Sequence, residues 1–159
     1  MLWVGAMLRF VVLALLIPAA ACSHHLQVAQ HVDQKIEAVS MTIEAAPELA
    51  ISPDVVAVIR QTYSQGLEDA GIKLDRASGV RLIGKITHID NGHDVAAFYN
   101  GDAAGAEFVA ISWTIEGGTI GQIGQLRTET SALPVVFGNS LHTENRAAAT
   151  ELAAYLAQR

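Results

Sequence analysis

The chain has 159 residues with 16 acidic and 10 basic side chains, a formal charge of −6, and a single cysteine. An acidic balance argues against the basic face that a nucleic-acid partner or an anionic lipid surface would select. A single cysteine excludes an internal disulfide, so the fold depends on packing, for which one domain of this length is sufficient.

Arg9 is followed by an apolar or small-residue stretch, Phe10 to Ala21, and then by Cys22. A basic head, a short apolar body and a small-residue end are the layout of a secretory signal peptide. The body falls short of the roughly 20 apolar residues that a spanning helix needs, and Pro18 loosens its end. Met7-Leu8-Arg9 makes an ordinary short basic head, so a start at Met7 is a simpler account beside a start at Met1. Reading the whole leader as an uncleaved anchor would bury Arg9, at about 2.5–3.5 kcal/mol on insertion scales. Residues 1–21 are therefore read as a signal peptide, cut between Ala21 and Cys22. An exported chain with one thiol at its cleavage point needs a reason for that thiol, and lipid attachment supplies one.

Ala19-Ala20-Ala21-Cys22 resembles the lipobox of bacterial lipoproteins, with Ala19 where the family usually has Leu. The resemblance implies that Cys22 becomes the first mature residue and carries acyl chains. Because Ser23 rather than Asp follows, it also implies an outer-membrane position facing the periplasm. The same residues fit an ordinary cleavage site, Ala19-x-Ala21, which cuts the same bond without acylation.

From Cys22 onward 138 residues remain, with a formal charge of −7. Ser23–Gln34 is polar and weakly patterned, so residues 22–34 are expected to form a lipid-anchored tether and residues 35–159 a single domain. Lys35–Glu44 alternates, with Val39, Met41 and Ile43 on one face, and reads as a strand. Ser52-Pro53-Asp54 is a helix start: a capping hydroxyl, a proline suited to the first turn and an acid at the positive end of the dipole. Val55, Ile59, Tyr63, Leu67 and Ala70 form the expected buried stripe, and Gly71 the stop. Val80–Ile89 alternates as a second strand, with Val80, Leu82, Gly84, Ile86 and His88 on one face. Asn91-Gly92 is a hairpin signal. Glu107–Glu116 is a third strand, with Val109, Ile111, Trp113 and Ile115 on one face. A turn at Gly117-Gly118-Thr119 leads to a fourth strand, Gln125–Ala132, which Pro134 ends. From about Thr143 an Ala-rich helix runs to the end, burying Ala149, Leu152, Ala153 and Leu156. The expected fold is α+β: a two-layer sandwich in the order β-α-β-β-β-α, with a mainly antiparallel four-stranded sheet and two helices on one face.

This order of elements resembles that of several uncharacterised bacterial envelope lipoproteins, including families of domains of unknown function. The pieces are Leu67-x-x-x-Gly71, Val80-Arg81-Leu82-Ile83-Gly84-Lys85-Ile86, Gly101-x-x-x-Gly105 and Leu152-Ala153-Ala154-Tyr155-Leu156. The resemblance implies a fold and an envelope location, and brings no catalytic residues with it.

His88, Asp90 and His93 are the candidate chemistry. A two-residue turn at Asn91-Gly92 would set Asp90 across from His93, with His88 two residues back on the same face. Two imidazoles and a carboxylate are ligand types for zinc or iron, which keeps open a periplasmic metal-binding or hydrolytic protein. The competing reading is an exposed polar hairpin tip. His24, His25 and His31 fall in the expected tether and His142 in a loop. No G-x-S-x-G elbow or phosphate loop is present. Phe108 and Phe98-Tyr99 are candidate surface aromatics. The sequence points to a non-enzymatic envelope lipoprotein without cofactor or metal. Its partners would be the membrane, through lipid on Cys22, and another envelope component, not nucleic acid.

Overall fold

The computed structural model describes residues 22–90, 107–132 and 140–158. Helix α1 (Pro53–Asp69) starts and stops as its local chemistry dictates. The Ser52 hydroxyl accepts from the Asp54 N–H at 3.3 Å, and Pro53 fills the first turn. At the far end Gly71 adopts φ 91°, which only a residue without Cβ enters freely. There the Ile72 N–H reaches the Leu67 carbonyl at 2.9 Å and the Gly71 N–H the Glu68 carbonyl at 3.0 Å. This pair of bonds is a Schellman stop. The buried face is Val56, Ile59, Thr62, Tyr63, Gly66 and Leu67, turned slightly from the expected stripe, so that Val56 is buried and Val55 half-buried.

The strands are β1 (Cys22–Gln30), β2 (Ala38–Ala45), β3 (Lys73–Leu74), β4 (Val80–Asp90), β5 (Glu107–Gly117) and β6 (Gly121–Ala132); the second helix is α2 (Ser140–Ala157). They form one six-stranded sheet in the order β1-β6-β5-β4-β2-β3. The α+β class holds, and both helices cover one sheet face. The four-stranded, mainly antiparallel sheet is corrected to a mixed one of six strands. β2 runs parallel to β4, Ser40 opposite Arg81 through Ala45 opposite Ile86, because α1 carries the chain back between them. β3, too short to show a period, adds a parallel edge to β2. β4, β5 and β6 are the expected antiparallel meander.

The tether is the second correction. Apart from a bulge at Ala29, β1 pairs antiparallel with β6 from Cys22 opposite Ala132 to Gln30 opposite Gln125. Leu26 and Val28 lie half-buried against the core. The connection that follows is pinned as well: Val32 is buried, and its N–H donates to the Tyr155 hydroxyl at 3.0 Å. Ile36 is buried too, and its N–H reaches the Leu156 carbonyl at 2.8 Å. An edge strand packs one face only, so two apolar side chains suffice and the rest of the segment stays polar. Residues 22–30 thus belong to the described fold and do not form a tether.

Between sheet and helices lies a core in which Val109, Ile111, Trp113 and Ile115 of β5 and Ala149, Leu152, Ala153 and Leu156 of α2 are fully buried, as their periodicity predicts. Gly84 stands directly opposite Trp113, and a Cβ there would come within 2.6 Å of the indole ring. The strand glycine is thus the space into which the tryptophan folds. Gly66 does the same for the helix pair, where a Cβ would meet that of Ala149 at 2.5 Å.

Among the described residues, the buried polar side chains of this core are hydrogen-bonded. The Trp113 Nε1–H donates to the Thr128 hydroxyl at 2.9 Å, and the Tyr63 hydroxyl lies 2.9 Å from the same oxygen. Burial pushes the Tyr63 phenol well above its ordinary range, and the Thr128 bond draws it partly back. The Thr130 hydroxyl donates to Asn145 Oδ1 at 2.9 Å.

Candidate functional site

The register of the strands brings several elements to one end of the molecule. β1 and β5 start there and β2, β4 and β6 finish there, since Cys22 pairs with Ala132, Ala132 with Glu107, and Asp90 with Phe108. Both helices also begin at this end. They run parallel, with Thr62 beside His142 and Gly66 beside Ala149, and an exposed ion pair joins Arg146 to Asp69.

Cys22 is the first residue of β1 and sits in the ladder. The next two residues are held by side-chain bonds as well as by the backbone. Ser23 Oγ lies 2.9 Å from Ser131 Oγ, and His24 Nδ1 lies 3.2 Å from Glu144 Oε2 on α2. His24 therefore does not sit in a tether. His31 touches the Tyr155 hydroxyl through Nδ1 at 3.3 Å.

A cavity of about 270 Å³ opens between α1, the start of α2 and the end of β4. Val55, Val58, Ile59 and Ile89 make it largely apolar, and Asp54, Thr62, His142 and Asn145 are its polar lining. His142 belongs to α2 rather than to a loop. The Thr62 hydroxyl donates to the Val58 carbonyl at 3.0 Å, so it accepts from His142 Nδ1–H at 2.9 Å. In the neutral ring this fixes the proton on Nδ1 and leaves Nε2 as an acceptor. The cavity is small beside most ligand pockets, which span roughly 300–1,000 Å³.

Ile89 lines this cavity because β4 carries a bulge. Ile86 faces Ile111 and His88 faces Ala110, leaving Thr87 unpaired. The extra residue shifts the alternation by one. Ile89 therefore turns toward the helices, and His88 is placed on the outer face, where its ring meets the edge of Phe108 at 5.3 Å. The expected face containing Val80, Leu82, Gly84, Ile86 and His88 is thus corrected at its last member. His93, Asn91-Gly92, Phe98-Tyr99 and Gly101–Gly105 lie outside the described residues, so the convergence of His88 and Asp90 on His93 does too. Among the described residues no three His, Cys, Asp or Glu side chains form a group that could hold a metal ion.

The residues that sequence reasoning missed are Thr128, Thr130 and Asn145. Their signal was the alternation Gly124, Leu126, Thr128, Thr130 on one face of β6, where β-branched Thr holds inward positions.

No family model matches the chain, and no curated protein matches it. Among solved structures it is similar to the PelC dodecamer from Paraburkholderia phytofirmans, with a TM-score of 0.60 and 12% identity over 86% of this chain and 99% of that one. A point variant of the same protein gives a TM-score of 0.57 and 13% identity over 87% of this chain and 99% of that one. A Xanthomonas campestris protein of family DUF330 gives 0.48 and 12% over 83% of this chain and 90% of that one. At these identities the likeness to PelC is one of fold.

Proposed function

We propose that the chain is a non-enzymatic lipoprotein of the bacterial envelope, exported by residues 1–21 and anchored by acyl chains on Cys22. Its α+β domain faces the periplasm from the outer membrane and binds or scaffolds another envelope component. The observation that carries the reading is the leader itself: a basic head at Arg9, a short apolar body and a small-residue end run directly into Cys22, the chain's single cysteine. Cys22 lies in the ladder between β1 and β6, opposite Ala132. A signal-peptidase cut at that point leaves the whole described fold intact. One acyl chain holds a protein to a bilayer marginally, whereas two or more hold it stably. The PelC structures that share the fold are dodecamers, which extends the reading to association with further copies of this chain.

The test is a Cys22→Ser chain expressed beside the wild type. The wild type is expected in the membrane fraction and the variant in the soluble fraction after cell lysis. A variant that stays fully with the membrane would contradict the anchor. Crosslinking the wild type in its own envelope then identifies the component it binds.

A further inference from the structure

We infer that the domain is seated on the bilayer surface by its Cys22 end, with no slack between lipid and fold. This rests on the reading of Cys22 as the lipid-bearing residue. A thirteen-residue tether over 22–34 would give the domain a reach of up to about 45 Å, at 3.3–3.6 Å per extended residue. The structure removes that reach entirely. Cys22 is in register with Ala132, Ser23 is bonded to Ser131 and His24 to Glu144. Freeing any length of tether means unzipping β1 from β6 and lifting Leu26 and Val28 off the core. A lipid on Cys22 therefore fixes the sheet edge itself at the membrane.

The register fixes what else belongs to this end of the sheet: Ala45, the last residue of β2, is level with Leu26 through Ile86, Ile111 and Thr128. The connection between β2 and α1 and the first turn of α1 belong to the same end, some four strand spacings, or about 19 Å, across the sheet from β1. The turn between β5 and β6, with Ile120 77% exposed, lies at the opposite end. β6 between the two ends spans roughly 36–40 Å at about 3.3 Å per residue.

The surface chemistry states what kind of contact this is. Residues 46–58 include Glu48 and Asp54 and no Lys or Arg. An acidic surface is not drawn to anionic headgroups. Among the described residues this stretch offers anionic headgroups no basic group, so the covalent anchor carries the contact.

Two variants of the full chain, Ala50→Trp at the Cys22 end and Ile120→Trp at the far end, place one added indole at an exposed position. Each is reconstituted in phosphatidylethanolamine–phosphatidylglycerol vesicles containing a headgroup-spin-labelled phosphatidylcholine. In a parallel arm, chain beginning at an unmodified Cys22 is coupled through that thiol to a maleimide-bearing phosphatidylethanolamine in the same vesicles. Quenching at position 50 is expected to exceed that at position 120 several-fold in both arms. Inserting a flexible Gly-Ser spacer after Cys22 is expected to bring the two values together. Equal quenching without the spacer in the coupled arm, or stronger quenching at position 120, would overturn the seating. Failure of the cell-made protein alone to join vesicles, with the coupled arm behaving as expected, refutes acylation and leaves the seating geometry standing.

Discussion

One edge of the sheet is a strand of nine residues, β1, and the other a strand of two, β3. The long edge pairs with β6 along almost its whole length, packs Leu26 and Val28 on the core and begins with the cysteine that the leader marks. The short edge pairs only Lys73 and Leu74 with β2, and it is flanked by bonds from Lys73 N–H to the Glu37 carbonyl and from Asp75 N–H to the Val39 carbonyl, both at 2.9 Å. The polar composition of a segment does not say which kind of edge it makes. Ser23–Gln34 looks like a solvated leash because an edge strand on a one-sided sheet needs only every second residue to be apolar, and β1 fills one of those places with His24. The segment that carries the proposed anchor is therefore part of the fold.

Deleting Cys22–Gln30 is expected to have the largest effect. It removes two apolar side chains, each contributing up to about 1.5–3 kcal/mol when fully buried, and bares the β6 ladder. A domain whose net stability is about 5–15 kcal/mol has little margin for that loss. Urea unfolding of the truncated chain should lack the cooperative transition of the full domain. A midpoint close to that of the uncut domain would show that β1 is dispensable and return it to the role of a tether.

Thr128→Val should come next. The substitution keeps the shape of the side chain and removes the oxygen shared by the Trp113 Nε1–H and the Tyr63 hydroxyl. A buried group left without a partner costs about 1–3 kcal/mol, so thermal unfolding should shift down by that amount. An unchanged midpoint would mean that the Trp113 N–H and the Tyr63 hydroxyl find other partners.

Lys73→Pro should do least. It deletes one N–H bond at the short edge, worth about 0.5–1.5 kcal/mol net, and is read in the same unfolding experiment. A loss as large as that from deleting β1 would erase the contrast between the two edges.

Much of this was legible in the sequence. The helix start at Ser52-Pro53, the stop at Gly71, the inward face of β5 and the buried stripe of α2 follow from local periodicity and capping, and tertiary packing agrees with them. The rest depended on information that periodicity does not hold. Parallel pairing of β2 with β4 is decided by where α1 returns the chain. The bulge at Thr87 leaves the composition of β4 unchanged, yet it turns His88 outward and Ile89 toward the helices. The cavity beside His142 exists only where two helices and a strand end meet. Cys22 itself was legible, but its place in a ladder was not.

The most direct measurement of the central claim is the intact mass of the protein extracted from membranes, together with its fragmentation from the amino terminus. The account predicts a chain that begins at Cys22 and carries acyl groups on that residue. A chain beginning at Cys22 with an unmodified thiol, or one that retains residues 1–21, would contradict it.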